Sequence, residues 1–397
     1  MACMLARGLR HSAPRASRRL GASGRPLYAG AAVGARAAAA SLSLPVVDIA
    51  PFMDGAPADA AARARSARAL DAACQDAGFF YLVGHGASEG EILDLHRVAK
   101  EFFALPTARK EAIALSSQPA SGRGYQRLGE NVTQGRRDWH EAIDFYAEPT
   151  EREVDLQALS NPPASAAAVE LERLRPFVHG RNLWPESPRD FHGVTSAHFA
   201  RMAGVGRALM ECMASALELP QGHFGPLVDR SFWCARVIGY PPLQDAPSGG
   251  GPVDASCGEH TDYGCWTILA QDDTPGALEA RMSDGTWTTV EPVPGAFVVN
   301  LGDMLSVWTQ RRFAATPHRV RQTRRDRYRT SVAFFFEPNF DAVIHPLQNC
   351  ALRGAAAASN ADFEHSTEPL RRAMRGGGLV YGEHLFAKVS GNFKFVA

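Results

Sequence analysis

The 397-residue chain predicts a mainly β protein with flanking helices, its core a barrel or double-sheet jelly roll. Two observations predict it. Beyond Ser231 the sequence breaks into short β-rich runs separated by Gly, Pro and Asp, the texture of many short paired strands. Ahead of Ser231, apolar residues recur at helical spacing, and no internal repeat suggests a solenoid or propeller. A composition of 45% apolar and 21% charged residues excludes the disordered and collagenous classes. No run reaches the roughly 18 strongly apolar residues of a membrane span.

Taken in order, Leu44 to Ala50 reads as a short strand, Ala58 to Ala77 as a helix stopped by Gly78, and Phe79 to Val83 as a second strand. Glu91 to Ala104 sets Ile92, Leu95, Ala99, Phe102 and Phe103 on one helical face, closed by Leu105-Pro106. Residues 119–137, rich in Gly and Arg, predict a loop able to cap a site, and Asp138 to Tyr146 a strand-like run. Ser187 is placed as N-cap and Pro188 as first helical residue of a long helix running to Leu219, with Pro220 as its stop. Strand-like runs follow at 232–240, 266–271, 287–290, 296–300, 318–321 and 328–336, with Pro247 to Pro252 as a flexible loop. This divides the chain into a leader (1–43), an N-terminal region (44–185), a joining helix (186–229), the jelly roll (230–345) and a helical, irregular tail (346–397).

Lys+Arg and Asp+Glu both number 42, so no global basic field argues for nucleic-acid binding. The zero hides an asymmetry: residues 1–47 hold seven Arg and no Asp, Glu or Lys, leaving 35 basic and 42 acidic side chains in the rest. An acid-free start rich in Arg, Ala and Ser has the composition of a transit peptide, so the expected location is an organelle, mitochondrion or plastid. The alternative is a cytoplasmic protein with a basic leader that carries no address. Seven scattered Cys without a C-x-x-C pair fit a reducing compartment better than a disulfide framework or structural zinc.

The chemistry concentrates in the β-rich half. In Gly258-Glu259-His260-Thr261-Asp262 a histidine and a carboxylate stand two residues apart, on one face of an extended segment. His318, beside its own β-like run, supplies a third ligand, and two His with one carboxylate suit a non-haem Fe(II) that keeps open positions. An H-x-D pair alone also arises as an ordinary surface pair. Eleven residues past His318, Arg329 and Ser331 share a strand face, where a planar guanidinium and a hydroxyl could clamp a carboxylate. Neighbouring Arg319, Arg321, Arg324, Arg325 and Arg327 read as a solvated hairpin, whereas the apolar run from Val332 draws Arg329 inward.

At these residues the chain resembles the 2-oxoglutarate and Fe(II)-dependent dioxygenases of the isopenicillin N synthase-like group. The resemblance runs from Leu44-Pro-Val-Val-Asp-Ile and Gly78-Phe-Phe-Tyr-Leu-Val-Gly-His-Gly through His260-Thr-Asp262-Tyr-Gly, Val298-Val-Asn-Leu-Gly-Asp303, His318-Arg-Val and Arg329-Thr-Ser331 to Phe335-Phe-Glu-Pro-Asn339. It implies a double-stranded β-helix of the cupin-like jelly-roll type. It also implies Fe(II) on His260, Asp262 and His318, and 2-oxoglutarate on Arg329 and Ser331. The group often carries an Asn and a Tyr before a Pro on an earlier strand; in Ile238-Gly239-Tyr240-Pro241 the Tyr carries over and the Asn does not. The implied reaction couples decarboxylation of 2-oxoglutarate by O2, to succinate and CO2, with hydroxylation or desaturation of a substrate; ascorbate is the implied reductant.

Strand parity extends the Arg329 face to Phe335, a candidate for the substrate pocket that serves equally as an ordinary core residue. Tyr125 and Trp139, from the expected cap, are further substrate candidates. The expected partner is a free small molecule, with no nucleic acid or membrane, and the expected state a monomer. Three alternatives stay open: an oxidase of the same fold using no 2-oxoglutarate, a metal-binding jelly roll without turnover, and a cupin-type isomerase. His85, His96, His192, His198 and His345 lack a partner at ligand spacing, and Cys257 and Cys265 read as packing residues.

Overall fold

The computed structural model describes residues 44–392 apart from 58, 118–120, 134–135, 151–152, 155–173, 243–255, 322, 324–325 and 351–377. The leader, the Pro247 to Pro252 loop and much of the tail lie outside the described residues.

The chain enters through β1 (Val46–Asp48), helix α1 (Ala60–Asp76) and β2 (Phe79–Val83). Asp59 caps α1 by accepting the Ala62 N–H. Gly78 makes the turn into β2 because its φ is +64° and a Cβ there would lie 2.6 Å from Thr316 Oγ1. Helix α2 (Glu89–Phe103) starts on a capping box between Ser88 and Glu91 and buries Leu95, Val98, Ala99, Phe102 and Phe103. The expected cap loop is not structureless: it holds β3 (Gly124–Gln126) and a small hairpin of β4 (Val132–Thr133) and β5 (Arg136–Arg137). Strands of two or three residues are too short to carry a period, and partners elsewhere in the chain define them. β6 (Glu141–Tyr146) follows and pairs β3.

The long helix α3 (Phe191–Ala216) begins later than the sequence suggests. Ser187 and Pro188 stand in a turn that the Phe191 N–H closes on the Pro188 carbonyl, and the helix starts where Phe191 reaches the core. The β-rich half supplies β7 (Cys234–Tyr240), β8 (Cys257–His260), β9 (Trp266–Gln271), β10 (Leu278–Arg281), β11 (Trp287–Val290), β12 (Phe297–Leu301), β13 (His318–Val320) and β14 (Arg329–Phe336). A short helix α4 (Asp303–Trp308) follows β12, and helix α5 (Tyr381–Asn392) ends the described chain. β10 and α4 escape the sequence reading, β10 because Leu-Glu-Ala-Arg has helical propensity and is held extended by β11 and β13.

Eight strands form one sheet in the order β1-β2-β12-β9-β14-β7-β6-β3, and four form a second, β11-β10-β13-β8. The large sheet draws strands from both halves of the chain. One of its faces packs the helices: Phe334 meets Phe199 of α3 and Trp233, and Phe336 lies against Gly206 of α3. The other face is closed by the small sheet, because Asp262, just past β8, is bonded by Thr267 of β9 and Asn300 of β12, and the His318 ring packs edge-on against Phe79 of β2. The result is the jelly roll expected, with residues of alternate parity pointing into its interior.

Candidate active site

His260 closes β8 and His318 opens β13, and the antiparallel register sets them directly opposite each other. Asp262, two residues past His260, completes a group whose ligand atoms lie within 4.8 Å of one another, the only such His/Cys/Asp/Glu cluster among the described residues. Both imidazole Nε2 atoms stand 3.7 Å from Asp262 Oδ1. Each ring is oriented through Nδ1, His260 to the Gly258 carbonyl at 2.8 Å and His318 to the Thr316 carbonyl at 3.1 Å. Donation from Nδ1 fixes the tautomer that presents the Nε2 lone pair to a metal.

Asp262 is steered in the same way. Thr267 Oγ1 donates to Oδ2 at 2.5 Å and Asn300 Nδ2 at 2.7 Å, leaving Oδ1 toward the histidines. Burial alone would push this carboxyl up, but the two imidazoles and these donors hold it below the usual range. Burial pushes His318 down to about 4, so it is neutral near pH 7 and able to ligate. The His260 side chain, 32% exposed, marks the open side. Two imidazoles and one carboxylate on one side of a point leave the opposite positions for other ligands.

Arg329 opens β14 opposite Tyr240 of β7, whose ring lies 4.7 Å from the guanidinium carbon. Arg329 is 1% exposed, and none of its three side-chain nitrogens meets an acceptor in hydrogen-bonding geometry. A buried guanidinium fork whose nitrogens lack a well-placed acceptor is costly unless an anion arrives to accept from them, and a carboxylate matches it. Ser331, buried on the same face, stands between Ile238 of β7 and Gln271 of β9. Ile238 fixes the departure noted in the sequence: an apolar side chain borders Ser331 on that side. The residues present therefore fit Fe(II) at the triad and a dicarboxylate between it and Arg329.

The substrate candidates divide. Phe335 shares the interior face with Arg329 and Ser331, is half-buried and stands outside the main apolar cluster. Trp139 is half-buried just before β6, its buried indole N–H without a partner. Tyr125 is a correction: it lies on the helix side of the sheet, donating to Glu141 at 2.6 Å and packing on Phe102 of α2, away from the triad. Alternation along β3 makes the difference, since Gln126 takes the interior side there and bonds Asp144. The remaining histidines have local tasks: His85 meets the Gly295 carbonyl, His96 meets Thr330, and His192 stacks on Trp184. Cys257 Sγ lies 3.8 Å from His260 Nδ1, and Cys265 is buried.

Sequence reasoning missed Thr267 and Asn300 as the residues that orient Asp262, because the pairing of Asn300 with Thr267 across β12 and β9 is a register no local pattern reveals. It also missed the polar group on β6 and β7 described below.

Comparison with known proteins agrees with this geometry. Residues 44–187 match the family described as non-haem dioxygenase in morphine synthesis N-terminal, and residues 232–338 match the 2OG-Fe(II) oxygenase superfamily. Homoarginine-6-hydroxylase 2-ODD-233 of Oryza sativa subsp. japonica is 38% identical over 357 residues, covering 88% of this chain and 98% of the relative. Homoarginine-6-hydroxylase 2-ODD-C23.1 of Arabidopsis thaliana is 37% identical over 357 residues, with the same coverages. Among solved structures, a 2OG-Fe(II) oxygenase family protein of Caulobacter crescentus superposes with a TM-score of 0.66 at 25% identity, over 88% of this chain and 99% of that one. JOX2 in complex with 2OG, Fe and JA superposes with a TM-score of 0.58 at 26% identity, over 78% of this chain and 79% of that one. With the triad, the idle arginine and these likenesses together, the chain belongs to the 2-oxoglutarate- and Fe(II)-dependent oxygenases of the isopenicillin N synthase-like group.

Proposed function

We propose that this oxygenase hydroxylates a free amino acid carrying a terminal guanidino group, of the homoarginine type, at the carbon that bears the guanidino nitrogen. What supports the substrate class is the identity with the homoarginine-6-hydroxylases along nearly their whole length. The observation that carries the co-substrate assignment is Arg329, buried with three idle donors on the interior face that the triad shares. Fe(II) and 2-oxoglutarate, when bound, supply the oxidising power, with O2 as oxidant and succinate and CO2 as by-products.

The protein's own residues bind and orient. His260, Asp262 and His318 hold the metal, with Thr267 and Asn300 keeping Asp262 turned toward it. Arg329 and Ser331 take the distal carboxylate of 2-oxoglutarate, and Tyr240 supports the guanidinium from its ring face. Phe335 walls the space beside the substrate carbon and limits the access of water. Net insertion of one oxygen atom into the C–H bond gives a carbon bearing both hydroxyl and guanidino nitrogen. Its C–N bond then breaks as the hydroxyl proton passes to nitrogen, releasing guanidine and leaving an aldehyde.

The test is aerobic turnover of homoarginine by the purified chain with Fe(II) and 2-oxoglutarate. Succinate and guanidine formed in equal amounts support the reading; succinate at the same rate with and without homoarginine contradicts it. The arginine-rich leader supports an organellar address, which a fluorescent fusion of residues 1–43 tests by import or diffuse cytoplasmic signal.

A further inference from the structure

A second polar group lines the interior face. Arg236 of β7 lies opposite Asp144 of β6 on one side and Ala333 of β14 on the other. Its Nε donates to Asp144 Oδ1 and its Nη2 to Asp144 Oδ2, both at 2.6 Å, a bidentate pair that locks the guanidinium plane. Gln126 Nε2 also donates to Asp144, which is 1% exposed and filled by these three donors. Asp144 therefore orients Arg236.

What remains is an arrangement of unused atoms. Arg236 Nη1 has only Asn131 Oδ1, at a long 3.4 Å, and the Arg236 side chain is 23% exposed although it points into the barrel. Asn131 is 7% exposed, and its Nδ2 has no partner; nor has the buried Gln126 Oε1. The network fixes both amide orientations, since the opposite ones would set Asn131 nitrogen against a guanidinium donor and Gln126 oxygen against a carboxylate. Arg236 Nη1, held only by its long bond to Asn131, and the unpartnered Asn131 Nδ2 thus belong to one network with the unpartnered acceptor Gln126 Oε1, joined through Asp144. Ala333, paired with Arg236 across β14 and β7, offers only a methyl group on that face. The Asn131 segment also lies against the iron strand, because Asp138 accepts the Gly258 N–H and Thr133 packs on Gly258, two residues before His260.

We propose that Arg236, Asn131 and Gln126 form the seat for the α-amino acid end of the substrate, Arg236 and Asn131 donating to its carboxylate and Gln126 accepting from its ammonium. Asp144 neutralises Arg236, so the seat suits a zwitterion rather than a phosphate or a second dicarboxylate. This rests on the proposed function in taking the guanidino end to lie at the iron, and it makes Arg236 and Asn131 specificity residues distinct from the co-substrate clamp at Arg329.

The experiment is an anaerobic titration of the protein loaded with Fe(II) and 2-oxoglutarate, following the perturbation of its visible charge-transfer band by three probes. These are homoarginine, 6-guanidinohexanoate, which lacks the amine, and homoagmatine, which lacks the carboxylate. Homoarginine should bind at least roughly 30-fold more tightly than homoagmatine, the worth of a charge-assisted carboxylate contact, with 6-guanidinohexanoate between them. In Arg236→Gln the ratio should collapse to within about threefold, and in Asn131→Leu it should fall about tenfold, while the 2-oxoglutarate midpoint of both variants stays at the wild-type value. That unchanged midpoint also shows that the variants are folded. Equal binding of homoarginine and homoagmatine by wild type, an Arg236→Gln variant that keeps the ratio, or no perturbation by any probe would overturn the seat. Homoarginine that binds with this discrimination yet is not hydroxylated would sink the proposed function and leave the seat standing.

Discussion

Single side chains decide whether the iron site is made. Asp262 presents one oxygen to the histidines because Thr267 and Asn300 occupy the other. Thr267→Val and Asn300→Leu should each weaken Fe(II) binding by roughly 10- to 100-fold, the usual effect of removing a group that orients a ligand, with little change in fold. Competition of Fe(II) against a chromophoric chelator measures it; unchanged affinity in both variants would show that Asp262 needs no steering. The triad itself was legible, since H-x-D on an extended segment fixes two ligands by parity and His318 opens a β-like run of its own. Tyr125 was not, because which face β3 turns inward depends on its pairing with β6 rather than on any spacing near Tyr125. Arg236 escaped for a related reason: its meaning comes from Asp144, 92 residues away in sequence.

At the scale of elements, the long periodic ones were readable and the short ones were not. β2, β9 and β11 lie where the apolar runs place them, and α2 where its apolar stripe does, starting two residues earlier because the Ser88–Glu91 capping box begins it. β4, β5 and β10 exist through their neighbours, so local propensity misreads them. One close approach fixes how α3 sits on the sheet: a Cβ on Gly206 would come within 2.2 Å of the Phe336 ring, which is fully buried. Gly206→Ala should therefore cost about 1–3 kcal/mol as helix and strand are forced apart, despite the better helix propensity of alanine. A urea midpoint equal to or above wild type would show that the contact yields freely.

For the whole molecule, the helix layer and barrel bury imidazoles that have no use for a proton. Burial lowers His96 and His140 to about 4 and His198 and His384 to about 3, and it lowers His85 as well. Each folded value lies below the unfolded one, so the stability these groups contribute is complete above about pH 6.5 and is lost as pH falls toward the folded values. Burial raises Glu337 to about 8, and raises Asp138 and Asp303 as well; these carboxyls work in the opposite sense, losing stability as pH rises past their ordinary values, and they offset part of the histidine effect. The urea midpoint of the metal-free protein should consequently drop between pH 6.5 and pH 4, by on the order of 1 kcal/mol or more per histidine. A midpoint flat across that range would mean that these rings reach water.

The triad and Arg329 together make one site for Fe(II) and 2-oxoglutarate, and that unity can be tested without any substrate. Anaerobic Fe(II) is titrated with 2-oxoglutarate in wild type and Arg329→Ala, following the visible charge-transfer band of the chelate. Wild type should show the band, and the 2-oxoglutarate midpoint should be roughly 30- to 150-fold higher in the variant, for the loss of about 2–3 kcal/mol of charge-assisted hydrogen bonding. Iron binding with no band in wild type, or a midpoint that ignores Arg329→Ala, would contradict a single shared site.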